Sequence, residues 1–120
     1  MESNQFKFED LEVYQKALDF VDQVYAIVEL FPNSELYNLT SQFKRASLSI
    51  ALNTAEGQGD TNAQFNRYLQ IAANSVKECI VCSTIARRQK FISEEQDSLN
   101  RIKLVQLSKM IKGLQKHLRK

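Results

Sequence analysis

Lys109, Lys112 and Lys116 recur at intervals of three and four residues near the C-terminus, so a helix sets all three on one face, with Arg119 and Lys120 just beyond. Such a stripe can track the phosphates of a nucleic acid, and neutralising several of them makes affinity fall steeply with salt. As ordinary surface, the same lysines form a solvated face favoured by the helix C-terminal dipole. Arg87-Arg88-Gln89-Lys90 is a second basic cluster, with no aromatic residue before Phe91. It therefore offers no platform for stacking unpaired bases, and recognition there would be of backbone and shape. Lys44 and Arg45 fall mid-helix and read as surface charges or subunit contacts.

Other reactive groups are sparse. Cys79-Ile80-Val81-Cys82 has C-x-x-C spacing, but zinc needs four ligands and a second pair is absent, so only oligomerisation could complete a site. Inert helical cysteines are the plainer reading. His117 is the single histidine, which leaves no metal cluster and no histidine-based dyad. Gly57-Gln58-Gly59 follows a helical pattern rather than a strand and has no adjoining lysine, so it reads as a helix stop, not a phosphate cradle. Asn53 and Glu56 are expected to tie the following connection to neighbouring backbone. No cofactor is expected, and no enzyme.

The elements that must position the basic stripe are helical. Among 120 residues there are only one proline and three glycines, with 43% hydrophobic and 25% charged residues, as in one ordinary globular domain spanning residues 1–120. Periodicity and punctuation predict helices over about 10–31, 35–56, 61–90 and 93–118. Leu11, Tyr14, Leu18, Val21, Tyr25 and Val28 share one face of the first, which Pro32-Asn33-Ser34 ends; Leu36, Leu39, Phe43, Ala46 and Ile50 share one face of the second. Gly57 stands where a left-handed C-terminal cap is needed, and Asn53 falls on the apolar seam. Thr61 with Gln64, and Ser93 with Gln96, form capping boxes that open the last two helices. Their apolar stripes are Phe65, Leu69, Ala72, Val76, Cys79 and Ala86, then Leu99, Ile102, Leu107, Met110, Ile111, Leu114 and Leu118. Long helices joined by short links imply an all-α, antiparallel up-down-up-down four-helix bundle. In that topology the end of the fourth helix lies near the start of the third, which adds Arg67 to the basic surface.

Apolar residues also stand outside these stripes: Ile71, Cys82 and Ile85 on the third helix, and Ala17, Val24 and Phe31 on the first. They mark either a broad core-facing sector or a subunit interface. The formal net charge is only +2, yet its distribution is polar. Seven carboxylates, Glu2, Glu9, Asp10, Glu12, Asp19, Asp22 and Glu29, precede Phe31 against Lys7 and Lys16, whereas from Arg101 onward no acidic side chain occurs. Glu12, Asp19, Asp22 and Glu29 share a face that could meet the lysine stripe of another subunit. The acidic start lacks a secretory core and no membrane-length apolar run occurs, so a soluble, cytoplasmic protein with no membrane partner is expected.

Several segments carry a resemblance that covers nearly the whole chain. Residues 39–60, LTSQFKRASLSIALNTAEGQGD, resemble the LTSQ-x-[RK]RA-x-x-SI-x-x-N-x-AEG-x-G segment of the four-helix-bundle, ribosomal-protein-like family encoded in intervening sequences of bacterial large-subunit rRNA genes. FEDLEVYQKA, FPNSELYNLTSQ and FNRYLQIAANSVKE are similar to further stretches of that family. Two departures stand out: Ser49-Ile50-Ala51 lacks the family's proline, and Asp60 replaces a basic residue often found after the second glycine. The resemblance implies a ring-shaped homopentamer. It also implies an RNA-linked role, since the related accessory variability determinant of diversity-generating retroelements binds nucleic acid and a reverse transcriptase through basic surface. The expected function is a non-enzymatic oligomeric accessory protein of RNA or ribonucleoprotein; the alternative is a protein-interaction scaffold without nucleic-acid binding.

Overall fold

The computed structural model describes residues 4–119. Four α-helices carry the fold: α1 (Glu12–Ile27), α2 (Leu39–Gly57), α3 (Asn62–Arg88) and α4 (Glu94–Leu118), with 3-10 turns at Lys7–Asp10, Val28–Leu30 and Asn33–Glu35. Each helix packs on the next in sequence and α4 returns to α1, with the most extensive seam between α2 and α3. Side-chain hydrogen bonds fix the directions. Gln42 reaches Glu78 and Ser75 reaches Ser49 between α2 and α3, while Ser83 reaches Asp97 and Gln115 reaches Gln70 between α3 and α4. Rising numbers on one helix meet falling numbers on its neighbour, so both pairs are antiparallel.

The first two helices are shorter than periodicity predicts; Pro32 explains the early end of α1, while α2 starts late because Asn38, at φ −131°, ψ −103°, stands off helical backbone. The ring of Pro32 disfavours helical backbone in Phe31, which is extended at φ −78°, ψ 148°. α1 therefore ends at Ile27, and the chain crosses to α2 through two 3-10 turns, leaving Leu36 outside any α-helix and 50% exposed. At the far end of α2 the roles of the glycines are reversed from expectation. Gly57 is helical and buried, and the left-handed conformation falls on Gly59, at φ +90°. Gly57 is required for closeness instead: a Cβ there would lie 2.6 Å from Phe65 Cδ1 and 3.2 Å from its Cα.

α3 starts on half a capping box. Thr61 Oγ1 accepts the Gln64 N–H at 3.2 Å, but the Thr61 N–H goes to Asp60 Oδ1 at 2.8 Å. α4 has the complete box, Ser93 Oγ accepting from Gln96 and Gln96 Oε1 accepting from Ser93. Between them the chain turns on Lys90 in the left-handed region at φ 65°, with Phe91 N–H donating to Ala86 O and Lys90 N–H to Arg87 O, the paired bonds of a Schellman stop.

The core corrects two of the expected helix faces. On α1 the buried residues are Val13, Ala17, Phe20, Val24 and Ile27, one position and so about 100° from the expected stripe, leaving Leu18 and Tyr25 40% and 44% exposed. Ala17, Val24 and Phe31 are thus core, not interface: Phe20 and Phe31 pack on Phe43 with ring centroids 6.3 Å and 6.4 Å away. On α4 the inward residues are Asp97, Asn100, Leu104, Leu107 and Ile111, while Leu99 and Ile102 point outward at 53% and 65% exposure.

The α2–α3 seam carries small side chains: Ser75 bonds Ser49 at 2.8 Å, Gly57 lies against Phe65, and Ala46, Ala72 and Cys79 are buried. Gly57→Ala should therefore cost about 1–3 kcal/mol by overpacking against Phe65. Gly59→Ala, with nothing within 4 Å of its Cβ, should cost only the left-handed backbone penalty of about 1 kcal/mol. Urea unfolding of the two variants checks the order, and equal losses would sink the close-approach account.

Candidate nucleic-acid interface

The helix-four lysines lie where their spacing places them, and the fold adds one that sequence reasoning missed. Lys109 and Lys112 line a groove of about 370 Å³ between α3 and α4, and Lys77 of α3 faces them across it. Gln70 and Gln115 join at 3.3 Å near its end, and Ala73, Ile80 and Val105 supply apolar wall. No carboxylate lines this groove. Among the described residues none of these lysines is held in an ion pair, the two salt bridges lying elsewhere. Lys77 is separated from the stripe by more than thirty positions in sequence, so only the antiparallel α3–α4 register brings it in.

The remaining predicted residues are placed differently. Lys116 and Arg119 are exposed further down α4, and Lys120 lies outside the described residues. The end of α4 does meet the start of α3, Asn62 donating to Leu118 O at 3.4 Å. Arg67 is exposed but does not line the groove, being turned about 80° from Lys77 around α3. At the opposite end Arg87 is held by Asp97, Lys90 forms the helix stop, and Phe91 packs on Phe31 at 5.7 Å, which leaves Arg88 exposed there. Tyr37, 93% exposed ahead of α2, is the aromatic residue that stands free. Lys44 sits 4.7 Å above the Tyr25 ring, a contact within the chain.

Of the residues expected at a subunit interface, Ile71 and Ile85 are 40% and 42% exposed, whereas Cys82 is buried at the floor of the α2–α3 groove. Burial pushes both thiols up, Cys82 to about 11 and Cys79 further, with the Glu78 charge adding to each, so both stay protonated at neutral pH. Among the described residues no group of His, Cys, Asp or Glu is arranged to hold a metal ion. His117 is exposed. Asn53 donates to Ser49 O at 2.8 Å and to its hydroxyl at 3.0 Å within α2, so it ties its own helix and not the following connection.

A polar cluster lies inside the bundle instead. Asp97, 5% exposed, accepts from Ser83 Oγ at 2.6 Å, from Arg87 Nε at 3.0 Å and from Arg101 Nε at 3.1 Å. Asn100 donates to Ser83 Oγ at 2.9 Å and accepts from Gln23 of α1 at 2.7 Å, while Arg101 also donates to Thr84. Burial alone would raise the Asp97 carboxyl; the Ser83 and Arg101 hydrogen bonds and the two guanidinium charges outweigh it and hold the group below the usual aspartate range. Ser83 and Asn100 are fully buried, so no substrate reaches this hydroxyl–carboxylate pair, and its work is to hold three helices in register.

The family model described as 23S rRNA-intervening sequence protein matches residues 9–113. A crystal structure of a protein of unknown function from the S23 ribosomal protein family of Bacteroides thetaiotaomicron VPI-5482 has the same fold, with a TM-score of 0.79 at 23% identity over 87% of this chain and 98% of that one. No curated protein sequence matches. No helix among the described residues is long and apolar enough to cross a membrane.

Because its folded value is lowered, Asp97 contributes stability that is complete above the unfolded carboxylate range near about 4 and lost as pH falls through the folded value. Asp97→Asn should lower stability by about 2 kcal/mol at pH 7 and flatten the acid limb of stability against pH. Denaturant melts from pH 7 to 2 test both, and an unchanged acid limb would remove the ionic role.

Proposed function

The chain belongs to the family of 23S rRNA-intervening sequence proteins, and we propose from this premise that it is a non-enzymatic, homo-oligomeric RNA-associated accessory protein of the cytoplasm, assembled as a five-membered ring. The observation that carries the RNA reading is the carboxylate-free groove in which Lys77, Lys109 and Lys112 converge, continued by Lys116 and Arg119. Ammonium groups on flexible stems act as point charges for phosphates and carry no base code, so the contact is with the backbone of a structured RNA. The wide, shallow minor groove of an A-form helix presents phosphates and 2′-hydroxyls together, and Gln70 with Gln115 offers amides to the latter. The ring rests on the family resemblance and on exposed apolar side chains, which a lone bundle leaves in water. The two protonated, unpaired thiols fit a reducing compartment.

A second reading, a scaffold for a protein partner, is favoured by the apolar groove between α2 and α3. The two separate in one titration. A labelled ribosomal RNA stem and a matched DNA duplex are titrated with protein across a salt series. The RNA reading expects tighter binding to the RNA, with a log–log salt slope that falls by about 3 when Lys77, Lys112 and Lys116 become Gln. Absence of binding even at low salt would overturn it in favour of the scaffold.

A further inference from the structure

The outward faces of α3 and α4 each carry a strip whose order of charge and apolarity mirrors the other. Along α3, read from its C-terminal end, the strip is Arg88, Ile85, Val81, Glu78, with Val81 56% and Ile85 42% exposed beside a groove of about 430 Å³ floored by Leu39 and Cys82. Along α4, read from its N-terminal end, it is Glu95, Leu99, Ile102, Val105, Lys109, with the three apolar residues 53%, 65% and 47% exposed. The α3 strip runs basic, apolar, acidic, with Glu35 and Lys77 also on the groove wall, and the α4 strip runs acidic, apolar, basic. We propose that the α4 strip of one copy docks in the α2–α3 groove of the next, head to tail; this names the contact surfaces of the homo-oligomer proposed above and rests on that reading.

Register supports the pairing. Ser83 bonds both Asp97 and Asn100, so within one copy Ile85 stands level with Leu99 and Val81 with Ile102. A rotation about an axis parallel to the bundle changes neither the level nor the direction of a helix. The neighbour's α4 therefore arrives antiparallel to α3, with Leu99 at Ile85, Ile102 at Val81 and Glu95 at Arg88. Lys109 lies about 6 Å beyond the level of Glu78 at 1.5 Å per residue, within reach of the two side chains. Because the contact needs no axial shift, a heterologous interface of this kind closes into a ring and does not climb into a filament.

The acidic face of α1 meets the same condition at one position. Gln23 bonds Asn100, which puts Glu12 level with Ile111, beside Lys112, but Asp19 and Asp22 level with Leu104 and Arg101, and Glu29 level with Glu94. Rotation alone therefore brings one of these four carboxylates beside the stripe, and this face pairs with it at one end only. Docking in the α2–α3 groove covers the apolar upper half of the α4 strip, engages Lys109 and seats the neighbour beside Lys77, which lines both grooves, so Lys112, Lys116 and Arg119 are the cations left for RNA in the assembled ring.

The test uses the asymmetry of the contact. Ile102→Glu spoils the α4 strip and Val81→Glu spoils the groove, both at positions whose exposure leaves the monomer core untouched; unchanged helicity and melting of each variant check this. By sedimentation velocity, each variant alone should associate roughly thirtyfold or more weakly than the wild type. Mixed together they should form a dimer that grows no further, since one supplies an intact groove and the other an intact strip. Retention of wild-type mass by either variant, or a mixture that stays monomeric, overturns the docking and leaves the oligomer standing. A monomeric wild type at the highest concentration overturns the oligomer itself, and the docking with it.

Discussion

The buried carboxylate of Asp97 is the constraint to which most of this structure answers. A charge with so little access to water is tolerated only when donors surround it. Ser83, Arg87 and Arg101 supply them, two of the three from a different helix. Sliding α4 by one turn along α3 would pull Asp97 from the Ser83 hydroxyl and leave it leaning on Arg101 of its own helix, so the cluster discriminates among registers that an apolar seam would accept with little preference. Asn100 extends the condition to α1 through Gln23, and in this way one level of the bundle is pinned across three helices.

That polar level has a geometric consequence for the outside of the molecule. With Asp97 and Asn100 turned inward, helical geometry turns Leu99 and Ile102 outward, since neighbours two residues away lie on the opposite side. The apolar upper half of the outward α4 face and the basic lower half are therefore products of the same internal arrangement. Register also decides which residue of α3 faces the lysines, and it selects Lys77 over Arg67. The surface chemistry read as function is set by a polar contact hidden beneath it.

The α2–α3 pair is governed by steric limits. Small residues on both helices let the backbones approach, and Gly57 marks the point where no side chain at all can be admitted. The Ala-Glu-Gly-x-Gly segment thus divides its labour, the first glycine serving helix packing and the second the left-handed turn. At the start of α3 the Thr61 and Gln64 N–H groups are taken up by Asp60 and Thr61 of the same chain.

Sequence by itself determined the class, the number of helices, their order, most of their ends and the family, because these rest on local signals: few helix breakers, apolar residues at helical spacing, capping residues and spaced motifs. The lysine stripe of α4 was legible for the same reason, being periodic within one helix. Sequence did not choose the buried face of α1, whose apolar residues cover more than half its circumference, so that Phe20 meeting Phe43 had to decide between two stripes one residue apart. Nor did it show that Asp97 and Asn100 point inward, since a polar residue reads as surface until its partners on other helices are known. Lys77, the exposed strip from Leu99 to Val105 and the close approach at Gly57 belong to the tertiary structure alone, because each is defined by a neighbour distant in sequence whose position only packing and register fix.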